Sequence, residues 1–161
     1  MIRAASPSDA AALCAIYNHY VAETAITFEE EPVSAVEMAR RIEDVLSAPL
    51  PWLVAEEDAG VVGYAYATRW KARPAYRYSV EITAYVARPH AGRGIGSRLY
   101  RHLFPILEAR GVRAVMGGIA LPNEASVALH EKFGMRKVAH FEQVGFKFDR
   151  WIDVGYWQRT L

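Results

Sequence analysis

The chain has 161 residues, 52% hydrophobic and 23% charged, with a formal net charge of +1 at pH 7. That length suits one domain, residues 1–161, able to bury a sizeable core. The balanced charge gives no ground for a nucleic acid or an anionic membrane as partner. No apolar run is long enough to span a bilayer and no secretory leader pattern is present, so a cytoplasmic protein is expected. The one cysteine, Cys14, excludes an intrachain disulfide; on the apolar side of a helix it reads as a small buried hydrophobe.

In chain order, Ile2–Ala5 reads as a short strand. Ser6 as N-cap and Pro7 at the first helical position open a helix, which Leu13, Ile16, Tyr17 and Tyr20 carry to about Val21. Thr24–Pro32 is expected to be a loop holding Ile26, Thr27 and Phe28. The second helix starts at a capping box, Ser34 with Glu37, reinforced by a staple of Val33 on Met38; Met38, Ile42, Val45 and Leu46 give its buried stripe. Pro49-Leu50-Pro51 ends it. Trp52–Glu56 and Val61–Arg69 form a hairpin around Asp58-Ala59-Gly60, and Val80–Ala87 is a further strand. A helix follows over Gly94–Arg110, where Pro105 should kink the axis and remove one backbone bond. Then come a buried strand Val112–Ile119, a helix Asn123–Phe133, a strand Arg136–Phe141, a turn Gly145–Arg150 and a closing strand Trp151–Arg159. The order β-α-α-β-β-β-α-β-α-β-β implies an α/β fold, a mixed central sheet of about seven strands with helices on both faces.

Two segments carry chemistry. In Gly92-Arg93-Gly94-Ile95-Gly96, glycines allow a tight turn that opens a helix, whose free N–H groups and dipole suit a diphosphate. It is not a dinucleotide fingerprint, because Ser97-Arg98-Leu99 follows Gly96, and no Gly-Lys-Ser/Thr follows for a nucleoside triphosphate. The second segment is Leu121–Met135. There Asn123, a good N-cap whose side chain could instead reach a cofactor, precedes Ser126, His130 and Gly134 at helical spacing. Together the two segments resemble the signatures of the Gcn5-related N-acetyltransferases (GNAT), Q/R-x-x-G-x-G/A and N-x-x-[AS]-x-x-x-[YH]-x-x-x-G-[FYM]. Ala91 stands where Gln or Arg is usual. The resemblance implies acetyl-CoA as donor, held by Ala84, Tyr85 and Val86 on the strand, by Gly92, Arg93, Gly94, Ile95, Gly96 and Ser97 at the turn, and by Asn123 and Ser126.

Acetyl transfer to an amine requires a base, because an ammonium with pKa near ~8 has no lone pair, donors for an oxyanion, and a proton or positive field for a thiolate. Glu81, in the otherwise apolar strand Tyr78–Val86, is the candidate base, acting directly or through water. The bland alternative is a surface glutamate. His130 is the candidate acid, its alternative a packed helix histidine, and the backbone around Tyr85–Val86 could hold the oxyanion. The five histidines show no spacing for a metal site and no Gly-x-Ser-x-Gly is present.

Pro51–Glu56, Trp70–Tyr76, Leu121–Asn123, Leu129–Glu131 and Trp151–Gln158 resemble the phosphinothricin and methionine sulfoximine N-acetyltransferase branch. That branch acetylates the α-amine of amino-acid analogues. The resemblance implies a small-molecule amine substrate, Arg73 as partner of its α-carboxylate, and Phe28, Glu29 and Thr83 completing the pocket. It also implies a homodimer, with the Val144–Arg150 turn near the partner and Phe146, Phe148 and Trp151 as core or, preferably, interface. Protein N-termini or polyamines as acceptors, and a non-catalytic acyl-CoA sensor, are the alternatives.

Overall fold

A computed structural model describes all of residues 1–161. Its elements are β1 (Ile2–Ala4), α1 (Ala10–Glu23), α2 (Ala35–Ser47), β2 (Trp52–Glu57), β3 (Gly60–Arg69), β4 (Ser79–Val86), α3 (Ile95–Ala109), β5 (Ala114–Ala120), α4 (Glu124–Lys132), β6 (Arg136–Lys147) and β7 (Arg150–Thr160). The strands form one sheet in the order β1-β2-β3-β4-β5-β7-β6. Only β4 and β5 run parallel. Element order and the mixed sheet with helices on both faces agree with the expectation from sequence.

Because strand side chains alternate between faces, Glu81, Thr83 and Tyr85 share one face of β4 while Val80, Ile82 and Ala84 share the other. Helix α1 covers the first: Tyr17 and Tyr20 meet the Tyr85 ring with centroids at 5.1 and 5.0 Å. Helices α3 and α4 cover the second, where Ile95 packs on Gly63 and His130 on Gly117. Buried Leu13, Met38 and Ile42 fill the core from the first side, and Leu99, Leu103 and Leu107 from the second.

The sheet splits at its centre. β4 pairs with β5 only over Ser79–Glu81 against Ala114–Met116. On their outer sides β4 stays paired with β3 as far as Val86, and β5 with β7 as far as Ala120. From Ile82 and Gly117 onward the two inner edges therefore diverge into a wedge. The Ala87 N–H donates to the Val62 carbonyl and the Ser79 carbonyl accepts from Trp70, both toward β3. By strand alternation, the Ile82 N–H then closes the ladder on the Met116 carbonyl, those of Ala84 and Val86 face the wedge, and that of Tyr85 faces β3.

Several local expectations change. The first turn, Pro7–Asp9, is 3-10 rather than α, fixed by Asp9, which accepts from the Ser6 N–H at 2.8 Å and from Arg3 at 2.8 and 2.9 Å. The Ser34 cap forms, accepting from the Glu37 N–H at 3.1 Å, but Glu37 does not reach back. Arg40 and Arg41 take its carboxylate instead. Leu46 is exposed, so the stripe of α2 is Met38, Ile42 and Val45. Helix α3 passes through Pro105 as one element. The expected Gly145–Arg150 turn shrinks to two residues, Phe148 and Asp149, both at positive φ (53° and 55°), as a tight hairpin of primed type requires. Gly145–Lys147 belong to β6, which reaches past Phe141 through a bulge with Gln143 at φ 54°.

Candidate active site

Three contiguous cavities follow the wedge, all bordered by Ile26 and Tyr85. The outermost, about 310 Å³, lies between Ala84, Tyr85 and Val86 on β4, the turn at Gly92, Gly94, Gly96 and Ser97, and Asn123 and Ser126 on α4. A small middle cavity of about 50 Å³ adds Ile82, Thr83, Gly118 and His130. The innermost, about 520 Å³, opens on the α1 side and is walled by Glu81, Gly118, Tyr156, Phe141, Val144 and the loop residues Ile26, Thr27 and Phe28.

At the outer end, Gly92 and Gly94 sit at φ +75° and +78°, a region that L side chains rarely enter, with open space where a side chain would project. Gly94 is the N-cap of α3. The turn thus offers bare backbone and a helix N-terminus to an anion, fitting the diphosphate of acetyl-CoA. Two neighbours contribute backbone only. Ile95 is buried against Gly63, and the Arg93 side chain turns outward, to His90 and a separate surface cavity beside Glu56, Glu57 and Asp58. Asn123 caps α4, its oxygen accepting from the Ser126 N–H at 3.1 Å, while its amide nitrogen makes no hydrogen bond and is free to donate to a ligand. Gly134, at φ +77°, closes α4 as expected.

Glu81 projects into the innermost cavity. Burial holds its carboxyl above the usual carboxylate range, against the opposing pull of the Tyr156 hydroxyl, the Gly118 N–H and the Lys71 charge. Tyr156 is itself fenced by Trp70 and Phe141 in edge contacts at 5.4 and 5.9 Å. His130 lies on the opposite face of the sheet, buried, with burial pulling its pKa below the ordinary histidine value. Its Nδ1 is 2.7 Å from the Ser126 carbonyl, which can only accept, so Nδ1 carries the proton and Nε2 faces the Tyr100 hydroxyl at 3.2 Å. The wedge therefore separates a carboxyl of raised pKa from a neutral imidazole.

The expected pocket residues divide. Thr83 borders the middle cavity and Phe28 the innermost. Glu29 borders neither: Arg41 binds its carboxylate at 2.6 and 2.9 Å and the Tyr17 hydroxyl donates to it, holding its pKa low. Arg73 is exposed as the cap of a short turn, Pro74–Tyr76, and borders none of the three cavities. Sequence reasoning missed Tyr156, Gly118 and Tyr100. Only the register between β4, β5 and β7 identifies Tyr156 and Gly118, and only the packing of α3 on α4 identifies Tyr100. No group of three or more His, Cys, Asp and Glu side chains is arranged to hold a metal ion, and no helix is long and apolar enough to cross a membrane.

The profile described as the acetyltransferase (GNAT) domain matches residues 2–155. The chain is 44% identical to the phosphinothricin N-acetyltransferase of Streptomyces viridochromogenes, over 99% of this chain and 87% of that protein. It is 36% identical to the L-methionine sulfoximine/L-methionine sulfone acetyltransferase of Salmonella typhimurium, over 99% and 94% respectively. Among solved structures, it resembles a GNAT superfamily phosphinothricin acetyltransferase from Sinorhizobium meliloti in complex with AcCoA. The TM-score is 0.96 at 34% identity, covering 100% of this chain and 88% of that one.

Proposed function

The chain belongs to the GNAT acetyltransferase family, and on that premise we propose that it acetylates the α-amine of small amino-acid analogues of the phosphinothricin, methionine sulfoximine or methionine sulfone type. It is an N-acetyltransferase with acetyl-CoA as donor. One observation carries the reading: Glu81, with its raised pKa, walls a cavity continuous through the wedge with the glycine turn.

Acetyl-CoA supplies an acyl thioester, which the free amine attacks directly in a ternary complex. Glu81 takes the amine proton, directly or through water, and its raised pKa brings it closer to that of the ammonium. The Tyr156 hydroxyl and the Gly118 N–H border the carboxyl and favour its ionised form. The unpaired N–H groups of Ala84 and Val86 are the donors available to an oxyanion in the wedge. Ala84, Tyr85, Val86, the backbone of Gly92–Ser97, Asn123 and Ser126 hold the donor. His130 stands on the leaving-thiolate side; it can release its Nδ1 proton only by leaving the Ser126 carbonyl, so we pair it with Tyr100 in that role. The Trp70–Arg77 loop receives the α-carboxylate, with Arg73 exposed on it and the Lys71 charge reaching Glu81.

Polyamine acceptors lose the support that an acidic pocket would lend, since Glu29 is neutralised by Arg41 and Glu81 is the one carboxylate on the innermost cavity. Thiol release from acetyl-CoA, followed with methionine sulfoximine, methionine sulfone, phosphinothricin, spermidine and a short peptide, tests the reading. Turnover of the amino-acid analogues is expected. Turnover of the peptide or polyamine alone would overturn the substrate class, and tight acetyl-CoA binding without any turnover would favour a sensor.

The reading includes a cytoplasmic location, where the donor thioester is supplied, and a homodimer. Val144, Phe146, Phe148 and Trp151 stand exposed together on the β6–β7 hairpin, Trp151 at 63%, an apolar patch of the kind that marks interfaces. Light scattering should give about twice the chain mass for the wild type and the single-chain mass for Trp151→Glu. A monomeric wild type would sink the dimer.

A further inference from the structure

The segment between α1 and α2 walls the innermost cavity with Ile26, Thr27 and Phe28, yet residues 25–33 make no backbone–backbone hydrogen bond. Its shape is held by side chains. Asn18 pairs with both backbone groups of Val33 at 2.8 and 2.9 Å, and Arg41 and Tyr17 hold Glu29. The third holding point comes from far along the chain. Lys147, at the end of β6 and 3% exposed, donates its three ammonium protons to the carbonyls of Val21, Thr27 and Glu29 at 2.8, 2.9 and 2.8 Å. A buried ammonium is costly unless every donor is met. Here the three acceptors all come from one segment, and from carbonyls that regular structure leaves free. Two residues earlier, Gly145 lies under the Phe28 ring, so close that a Cβ there would stand 2.4 Å from Cζ.

We propose that Lys147 is a positioning residue for the acceptor pocket: its ammonium ties the Val21–Glu29 backbone to β6, so that Ile26, Thr27 and Phe28 stand as the wall facing Glu81. Glu29 then serves the same wall from the other side, through Arg41. This rests on the reading that the cavity beside Glu81 takes the amine. The reaction's own groups, Glu81, the wedge N–H donors and the glycine turn, lie on other elements. Loosening the wall should weaken amine binding and leave the chemical step nearly intact.

Lys147→Met is expected to raise KM for the amine at least about tenfold, with kcat and the acetyl-CoA Kd within about threefold of wild type. Lys147→Arg should recover part of that KM, and amide exchange in residues 24–33 should accelerate in Lys147→Met. Gly145→Ala displaces Phe28 while keeping Lys147, and is expected to raise KM in the same manner; it also carries the test if Lys147→Met fails to fold. A folded Lys147→Met with wild-type KM overturns the proposal, as does a uniform loss of kcat, KM and cofactor binding in both variants. All are assayed with whichever amine the wild type acetylates. Failure of the site reading would appear separately, as full activity in Glu81→Gln.

Discussion

Glu81→Gln is expected to lower kcat by about 10²–10⁴-fold, the usual contribution of a positioned general base, while leaving acetyl-CoA binding near wild type. Glutamine keeps the size of the side chain and its contact with the Tyr156 hydroxyl but cannot accept the amine proton. The base works only when ionised, and burial raises its pKa. Wild-type kcat should therefore fall with decreasing pH through a limb lying above the ordinary carboxylate range, and the variant should lack that limb. Stability should move the other way. A carboxyl that titrates higher in the folded than in the unfolded state makes folding less favourable as pH rises through that interval, and glutamine abolishes the loss. A thermal midpoint equal to or above wild type at about pH 7.5, together with lost turnover, is the expected pair. Retained turnover, or an unchanged acid limb, would remove Glu81 from the base role.

Gly118→Ala is expected to cost about 10² in kcat/KM, the scale on which a displacement of about 1 Å acts at a reacting centre. The added Cβ would stand 2.9 Å from Glu81 Oε1 and 3.0 Å from the Tyr156 ring. Trp70 and Phe141 bracket that ring, so the carboxylate is the partner that yields. Gly117→Ala is the counterpart on the opposite face: its Cβ would meet at 2.6 Å the imidazole of His130, the group on the thiolate side, so any loss of turnover there reports on His130 and not on the base. His130 is buried between Tyr100 and Ser126, so this clash should cost about 1–3 kcal/mol of stability, which Gly118→Ala should largely escape. Calorimetry and steady-state kinetics on the two variants separate the effects. Equal losses of stability and activity in both would mean that β5 itself is disturbed, and would count against Glu81 being displaced selectively.

How far these features could be read from residue order depends on the range of the interaction behind each. Local patterns carried the elements: the Ser34 cap with its Val33 and Met38 staple, the 3.6-residue stripe of α3, the alternation in the strands, and the glycines at 92, 94 and 134, whose backbone angles few other residues accept. Errors arose where side chains had a choice of partner. Glu37 could close its own cap but found Arg40 and Arg41, and Glu29 looked like a pocket residue but found Arg41 and Tyr17. In the β6–β7 hairpin, aromatic and charged residues suggest a six-residue turn and mask a two-residue reversal at Phe148 and Asp149.

Residue order alone was enough for the chain of strands and helices, the anion-binding turn, the family signatures and a glutamate placed in an apolar strand, since each depends on neighbours within a few positions. Assembly of the site was not written there. The wedge exists because β4 and β5 part after three paired positions, Tyr156 comes to stand beside Glu81 only through the register of β7 on β5, and Lys147 meets carbonyls more than a hundred residues away. Such contacts follow from how sheet edges and cavities are filled in space, where distance along the chain ceases to matter.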